Sequence, residues 1–331
     1  MTPGLISKMT SPAGINYLNI GLMLISVIAS YILPFEVFLF SYAFLGPLHY
    51  LTEISWLEKK NYFIRSRTDI WIFVALVCII TIGMFNQHSK INAFMGSLLF
   101  SGFIYALIIL FVDKIGIKIF LIAATFVVSV MLNLNHYPDT GFLLFGIWLP
   151  TIIHVFIFTG AFILYGALRS RSVSGILSLV VFVCCAVLFF VYTPESYVAV
   201  SDYGKNAYSY FRLLNTSLHE LFGYGSLALD DTLYKSVPAV AIMRFIAFAY
   251  TYHYLNWFSK TTVIKWNEVS RKRMGMIILL WILSVVLYVF SYEIGFYALF
   301  LLSMLHVFFE FPLNHQTFIG IGKEFRSLIR K

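Results

Sequence analysis

Leu301–Thr317 reads LLSMLHVFFEFPLNHQT, an apolar run in which His306 and Glu310 stand four residues apart. Four residues is just over one turn of α-helix, so both side chains leave the same helix face. Gly46–Trp56, GPLHYLTEISW, repeats the arrangement with His49 and Glu53. Ionisable groups inside a membrane-spanning helix are costly, and they usually face the interior of the bundle. Two such pairs in one chain point to a metal.

The rest of the chain supports the membrane reading. Of its 331 residues, 60% are hydrophobic and only 11% are charged, whereas soluble domains carry about 25% charged residues. Apolar runs of roughly 18 residues or more recur along the whole length, the signature of an all-α, polytopic helix bundle. Ten spans are expected, at 14–33, 35–57, 69–87, 92–112, 118–135, 142–168, 174–193, 237–259, 274–292 and 295–313, in one membrane domain over 1–331. No cleavable signal peptide is expected, because Met1–Thr10 is short and polar and Gly14–Leu33 lacks a small-residue cleavage site. The net charge of +8 is spread over loops and forms no stripe, so nothing supports nucleic-acid binding. Cys78, Cys184 and Cys185 all fall inside apolar runs, against a disulfide framework or a CxxC metal site.

Loop charge sets an expected orientation. With the N-terminus cytoplasmic, eighteen of the 23 Lys and Arg residues fall on that face, and only Lys90, Lys205, Arg212 and Lys235 fall in opposite loops. Both termini are therefore expected on the basic, cytoplasmic side. The longest loop, 194–236, lies on the outer face with alternating aromatics such as Tyr203, Tyr208, Tyr210 and Phe211. A short amphipathic helix is expected near Tyr208–Phe222, packed over the bundle or serving as a lid.

Eight histidines sort by position. His88, His136, His219 and His315 fall in loops or near helix ends and read as interfacial polar groups. His49, His154, His253 and His306 each lie well inside a separate span. Counting from span ends at 1.5 Å per residue places His49, His253 and His306 within roughly 3 Å of one depth. His154 falls roughly 9 Å higher, a gap that a tilted or late-starting span would shrink. Imidazole is the commonest protein metal ligand and suits iron, copper and zinc. Glu53 and Glu310 are placed to accept the other ring N–H of a ligating histidine, on their own helix or a neighbour's, or to coordinate directly. The bland alternative is interhelical hydrogen bonding by each histidine alone.

Pro47 and Pro150 precede His49 and His154, and Pro312 is read as closing the helix of Glu310. Asn256 shares the face of His253 and could hold a bridging water. Arg244 reads as a structural pair or a snorkelling side chain. Tyr50, Phe156, Tyr252, Trp257 and Phe309 are the aromatic candidates for a substrate cavity, with plain core packing as their alternative.

Four segments together resemble a known family. GPLHYLTE (Gly46–Glu53), TIIHVFIFTGAF (Thr151–Phe162), YTYHYLNWFSK (Tyr250–Lys260) and LHVFFEFPLNH (Leu305–His315) are similar, in the same order, to the histidine segments of the bacterial Brp/Blh family of membrane β-carotene dioxygenases. The resemblance implies a bacterial inner-membrane enzyme that uses histidine-bound non-haem Fe(II) and O₂ to split a carotenoid double bond into two carbonyl products. His49, His154 and His253 would match family histidines, with His306 the match in the last span. Trp257 stands where the family has a further histidine, and Glu53 and Glu310 stand where it has aspartates.

The expected function is thus a membrane-embedded iron oxygenase acting on a lipophilic, carotenoid or isoprenoid substrate. Its metal ligands would be His49, His154, His253 and His306, its partners O₂ and the lipid bilayer, and another transition metal could replace iron. Two alternatives stand beside it. One is a di-metal lipid hydroxylase or desaturase, although HxxxH and HxxHH boxes are missing. The other is a proton- or cation-coupled transporter.

Overall fold

The structure, a computed structural model, describes residues 11–60, 66–84, 89–135, 143–194, 200–227, 232–260, 265 and 268–329. Among them every regular element is helical. Seven helices are long and apolar enough to cross a membrane. Within the described residues each of the ten expected spans falls on helix, but 35–57, 69–87 and 237–259 are not among those seven. His88 and His136 lie outside the described residues.

The chain divides into two compact units, and each is taken by itself. The first comprises Met1–His49, Val155–Gly295 and Gly320–Lys331. It begins with α1 (Pro12–Ile32) and α2 (Pro34–Phe40), which runs through a π turn at Ser41–Leu45 into α3 (Gly46–Lys60). The second comprises Tyr50–His154 and Phe296–Ile319. Its helices are α4 (Arg67–Met84), α5 (Ser89–Phe111) and α6 (Ile115–Asn135), followed by a π-helical stretch, Leu143–Phe158. Beyond that stretch the first unit resumes with α7 (Thr159–Ser170), α8 (Val173–Val191), the short α9 (Asp202–Tyr208), α10 (Arg212–Leu221) and α11 (Thr232–Lys235). It ends with α12 (Val237–Ser259) and α13 (Arg271–Phe290), after which α14 (Tyr292–Ile329) follows.

The core of the first unit is α12, which packs against α1, α2 and α8. Arg244, His253, Asn256 and three tyrosines lower its hydropathy, yet most of its residues are buried. A helix buried on all sides needs no lipid-facing stripe, so its residues are chosen for packing and hydrogen bonding. Arg244 is 2% exposed and lies over the Tyr31 ring at 5.1 Å, a cation–π contact. Serine caps set the starts of α1, α8, α9, α12 and α13, where Ser11, Ser172, Ser201, Ser236 and Ser270 each accept a backbone N–H from three residues on. The expected amphipathic segment of the 194–236 loop is helical and packs inward: Tyr208 and Phe211 meet Phe35 and Phe38 edge to face at 4.8–5.8 Å.

In the second unit α5 packs against both α4 and α6. Phe308 is fully buried, with Phe73 and Phe103 at 5.7 and 4.8 Å. Lys118, one of the basic residues counted on the cytoplasmic face and the first residue of the expected span 118–135, is 3% exposed and donates to Asp69 Oδ1 and Oδ2 at 2.9 and 2.8 Å. Tyr105 donates to the same carboxylate at 2.6 Å. The cation is tolerated inside because charge and hydrogen bonds are both matched.

The prolines act in two ways. Pro47 follows the π turn at Ser41–Leu45, and Pro150 lies inside the π stretch Leu143–Phe158, where Thr151 Oγ1 donates to the Ile147 carbonyl. Each proline removes a backbone donor, and a widened turn is one way a helix accommodates the loss. Pro312, by contrast, does not close its helix: α14 runs 38 residues, through Pro312 to Ile329. One missing N–H is tolerated where neighbouring helices pack around the carbonyl it leaves unpaired.

Candidate metal centre

In the first unit α3 supplies His49, just past its π turn, and α12 supplies His253. The two rings meet edge to face with centroids 4.8 Å apart, and their Nε2 atoms lie 3.2 Å from each other. They are 1% and 7% exposed. On the far side of the second ring, His253 Nδ1 is 2.8 Å from Thr159 Oγ1, the first residue of α7. Tyr254 and Trp257, one turn apart on α12, pack on His49 with centroids at 5.1 and 5.5 Å. Trp257 therefore stands beside a histidine at the position where the resembling family has another one.

The second unit repeats the pattern with different residues. His154 comes from the π stretch and His306 from α14, and their Nε2 atoms again lie 3.2 Å apart. Both are buried. His154 Nδ1 is 3.3 Å from Glu310 Oε2. Glu310 thus lies against the histidine of a neighbouring helical stretch. Tyr50 stacks on the His306 ring at 4.2 Å and 24°. A Glu53 carboxylate oxygen lies within 4.8 Å of a His306 ring nitrogen.

The expected 9 Å offset of His154 does not survive against His306. It was counted from span ends at 168 and 313 with α-helical rise. The first end belongs to a run that is partly π-wound, and the second is interior to α14.

Each pair has the chemistry of a half-built metal site. Metal–imidazole bonds are about 2.0–2.1 Å, so nitrogens 3.2 Å apart match adjacent ligands subtending about 100° at one ion. The Glu310 carboxylate, when ionised, favours a proton on the near nitrogen, His154 Nδ1, through its charge at 3.3 Å and not through a formed hydrogen bond, and this leaves Nε2 with a lone pair. The Thr159 hydroxyl can accept a hydrogen bond from His253 Nδ1. A hydrogen-bonded Nδ1–H behind a bare Nε2 is the usual arrangement of a ligating histidine. Buried His and Glu groups of this kind could hold a metal ion.

The other candidates fall in several places. Phe156 is in an aromatic cluster with Phe182 and Phe245, and Phe309 packs on Phe73. Tyr252 and Asn256 line a cavity of about 290 Å³ in the first unit. His219 makes a 2.8 Å contact from Nδ1 to the Gly225 carbonyl, and His315 packs on Phe311. His315, read as lying near a helix end, is instead interior to α14, with its Nε2 buried and without a hydrogen-bond partner among the described residues. Thr159 escaped the sequence reading. Its only signal was its place in the His154 segment, whereas its partner is His253 of α12.

No family model, curated protein or solved structure matches the chain. The Brp/Blh resemblance therefore rests on its four motifs alone.

Proposed function

We propose that this chain is a membrane-embedded metalloenzyme, an O₂-dependent oxygenase that cleaves a double bond of a lipophilic substrate of carotenoid or isoprenoid type. Its metal is iron(II), with His49, His154, His253 and His306 as ligands. The observation that carries the reading is the twice-repeated pairing of buried imidazoles, Nε2 to Nε2 at 3.2 Å, with a carboxylate 3.3 Å from His154 Nδ1 and a hydroxyl 2.8 Å from His253 Nδ1.

Ferrous iron, when bound, supplies O₂ activation. The protein's part follows from its own groups. Thr159 holds the Nδ1 proton of His253, and the Glu310 charge favours a proton on His154 Nδ1. Tyr50 and Trp257 restrict rotation of His306 and His49 by ring contact. Burial of all four histidines keeps water from the reacting centre.

The deciding experiment is elemental analysis of the purified protein and of four variants, each with one histidine changed to alanine. Iron at a fixed ratio to chain is expected in the wild type, with loss in every variant. Iron that survives all four substitutions rejects the proposal. Two iron ions per chain would favour di-metal hydroxylation or desaturation.

One contact favours a second reading. His154 and Glu310, buried together, could also pass a proton, as in coupled transporters. That reading requires pH-dependent uptake into proteoliposomes without O₂ consumption.

A further inference from the structure

The cavity beside α12 is separate in composition from the histidine pairs. It has a volume of about 290 Å³, near the lower end of ligand pockets at about 300–1,000 Å³. All of its lining belongs to the first unit. It opens among four helix ends. Pro12 is the first residue of α1, Ser170 the last of α7, and Lys260 caps the end of α12, while Ser178 comes from the second turn of α8. Two helices begin at this end and two finish, so their dipoles oppose one another and leave the sign of the site to its side chains.

Those side chains divide by character. Ile15, Phe162 and Ile163 form an apolar wall, and among the described residues the remainder of the lining includes polar groups and one cation, Lys260, with no carboxylate. The Lys260 ammonium lies over the Phe162 ring at 5.7 Å, which anchors it between the polar and apolar sides. The polar side is built rather than incidental. Asn19 is 5% exposed, and its Oδ1 accepts from Tyr252 Oη at 3.3 Å and Ser259 Oγ at 3.1 Å. Asn16 Nδ2 donates to Ser174 Oγ at 3.0 Å. The Asn256 amide, on a residue 5% exposed, also lines the cavity.

We infer that this cavity binds an amphiphile whose anionic head, a phosphate or carboxylate, sits on Lys260 and Asn256 and whose apolar chain lies along Ile15, Phe162 and Ile163. Asn256 is one turn from His253 on α12, and Phe162 is one turn from Thr159 on α7, the two residues in contact at the first histidine pair. The cavity therefore assigns the metal centre a substrate class with a charged end. That assignment rests on the metal reading, whereas binding in the cavity does not.

The test uses the full chain in phosphatidylcholine nanodiscs, stripped of metal by chelation. Three probes are compared by native mass spectrometry: dodecyl phosphate, dodecanol and inorganic phosphate. Two variants isolate the site. Lys260→Gln removes the charge. Gly166→Leu places a side chain at the cavity wall, where a Cβ at Gly166 meets no atom within 4 Å. The expected result is retention of dodecyl phosphate over both other probes, weaker by about tenfold or more in Lys260→Gln and lost in Gly166→Leu. Equal retention of dodecanol, equal retention of inorganic phosphate, or binding undiminished in Gly166→Leu would each overturn the inference. Metal content of unstripped Gly166→Leu protein, expected to equal wild type, is read separately and keeps this test apart from that of the metal centre.

Discussion

His154 Nδ1 and Glu310 Oε2 lie 3.3 Å apart, both groups buried, joining a π-wound segment to the long last helix. An ionised carboxylate this close favours the proton on the near ring nitrogen by its charge and leaves the other nitrogen to bind a metal. Glu310→Gln keeps the shape but can turn either an oxygen or an N–H toward the ring. Metal affinity is expected to fall about 10- to 100-fold, read by metal titration of the stripped protein. An unchanged affinity would show that Glu310 does not orient a ligand.

Thr159 plays the corresponding role for His253 at 2.8 Å. Thr159→Val preserves shape and removes the hydroxyl. Metal affinity is expected to drop about tenfold or more, with a stability loss of about 1–3 kcal/mol from the unpaired ring nitrogen. Thr159→Ser should restore both. A stability loss with no change in metal binding would confine the hydroxyl to a structural role.

Chelation should lower thermal stability, since an ion that binds only the folded chain stabilises it by mass action. At metal concentrations a hundred times Kd the contribution is about 2.7 kcal/mol. In the four histidine-to-alanine variants the melting temperature should no longer respond to chelator. A response preserved in all four would place the metal elsewhere.

Asp69 and Lys118 form a buried pair at 2.8 Å, with Tyr105 on the same carboxylate. Asp69→Asn leaves a buried ammonium without its counter-charge and is expected to cost about 3–5 kcal/mol. Replacing both members together, as Asp69→Leu with Lys118→Met, should recover most of that loss. Thermal unfolding in one detergent compares the three proteins.

Gly102 faces Phe308 so closely that an added Cβ would come within 2.6 Å of its ring. Phe308 is held between Phe73 and Phe103 and has little room to yield. Gly102→Ala is expected to lower stability by about 1–3 kcal/mol. Because Phe308 is two residues beyond His306, metal binding should weaken with it. A variant as stable as wild type would show that the ring can shift.

Much of the candidate site was legible because depth and spacing are properties of one chain segment. An imidazole inside an apolar run is conspicuous wherever it folds, which singled out His49, His154, His253 and His306. The turn spacing of His306 and Glu310 was also correct as helix geometry. It left open a partner on the same helix or on a neighbour, and Glu310 lies against His154 of the neighbouring π stretch, because residues four apart share a face without having to bond each other. Depth counting failed for His154 for a related reason. Rise per residue is a local constant only in uniform α-helix, and neither the π stretch around Pro150 nor the passage of α14 through Pro312 follows from local propensity.

The sequence by itself determined that this is a helical chain with stretches long and apolar enough to cross a membrane and with four histidines inside its helices, since hydropathy and helical period are summed along the backbone. Only the tertiary structure decided that His49 meets His253 and His154 meets His306. It alone brought Thr159 behind His253, buried Lys118 against Asp69, and opened a cavity lined by Asn16, Asn256 and Lys260. These are contacts between residues far apart in the chain, fixed by how helices pack, and a single sequence carries no local signal for them.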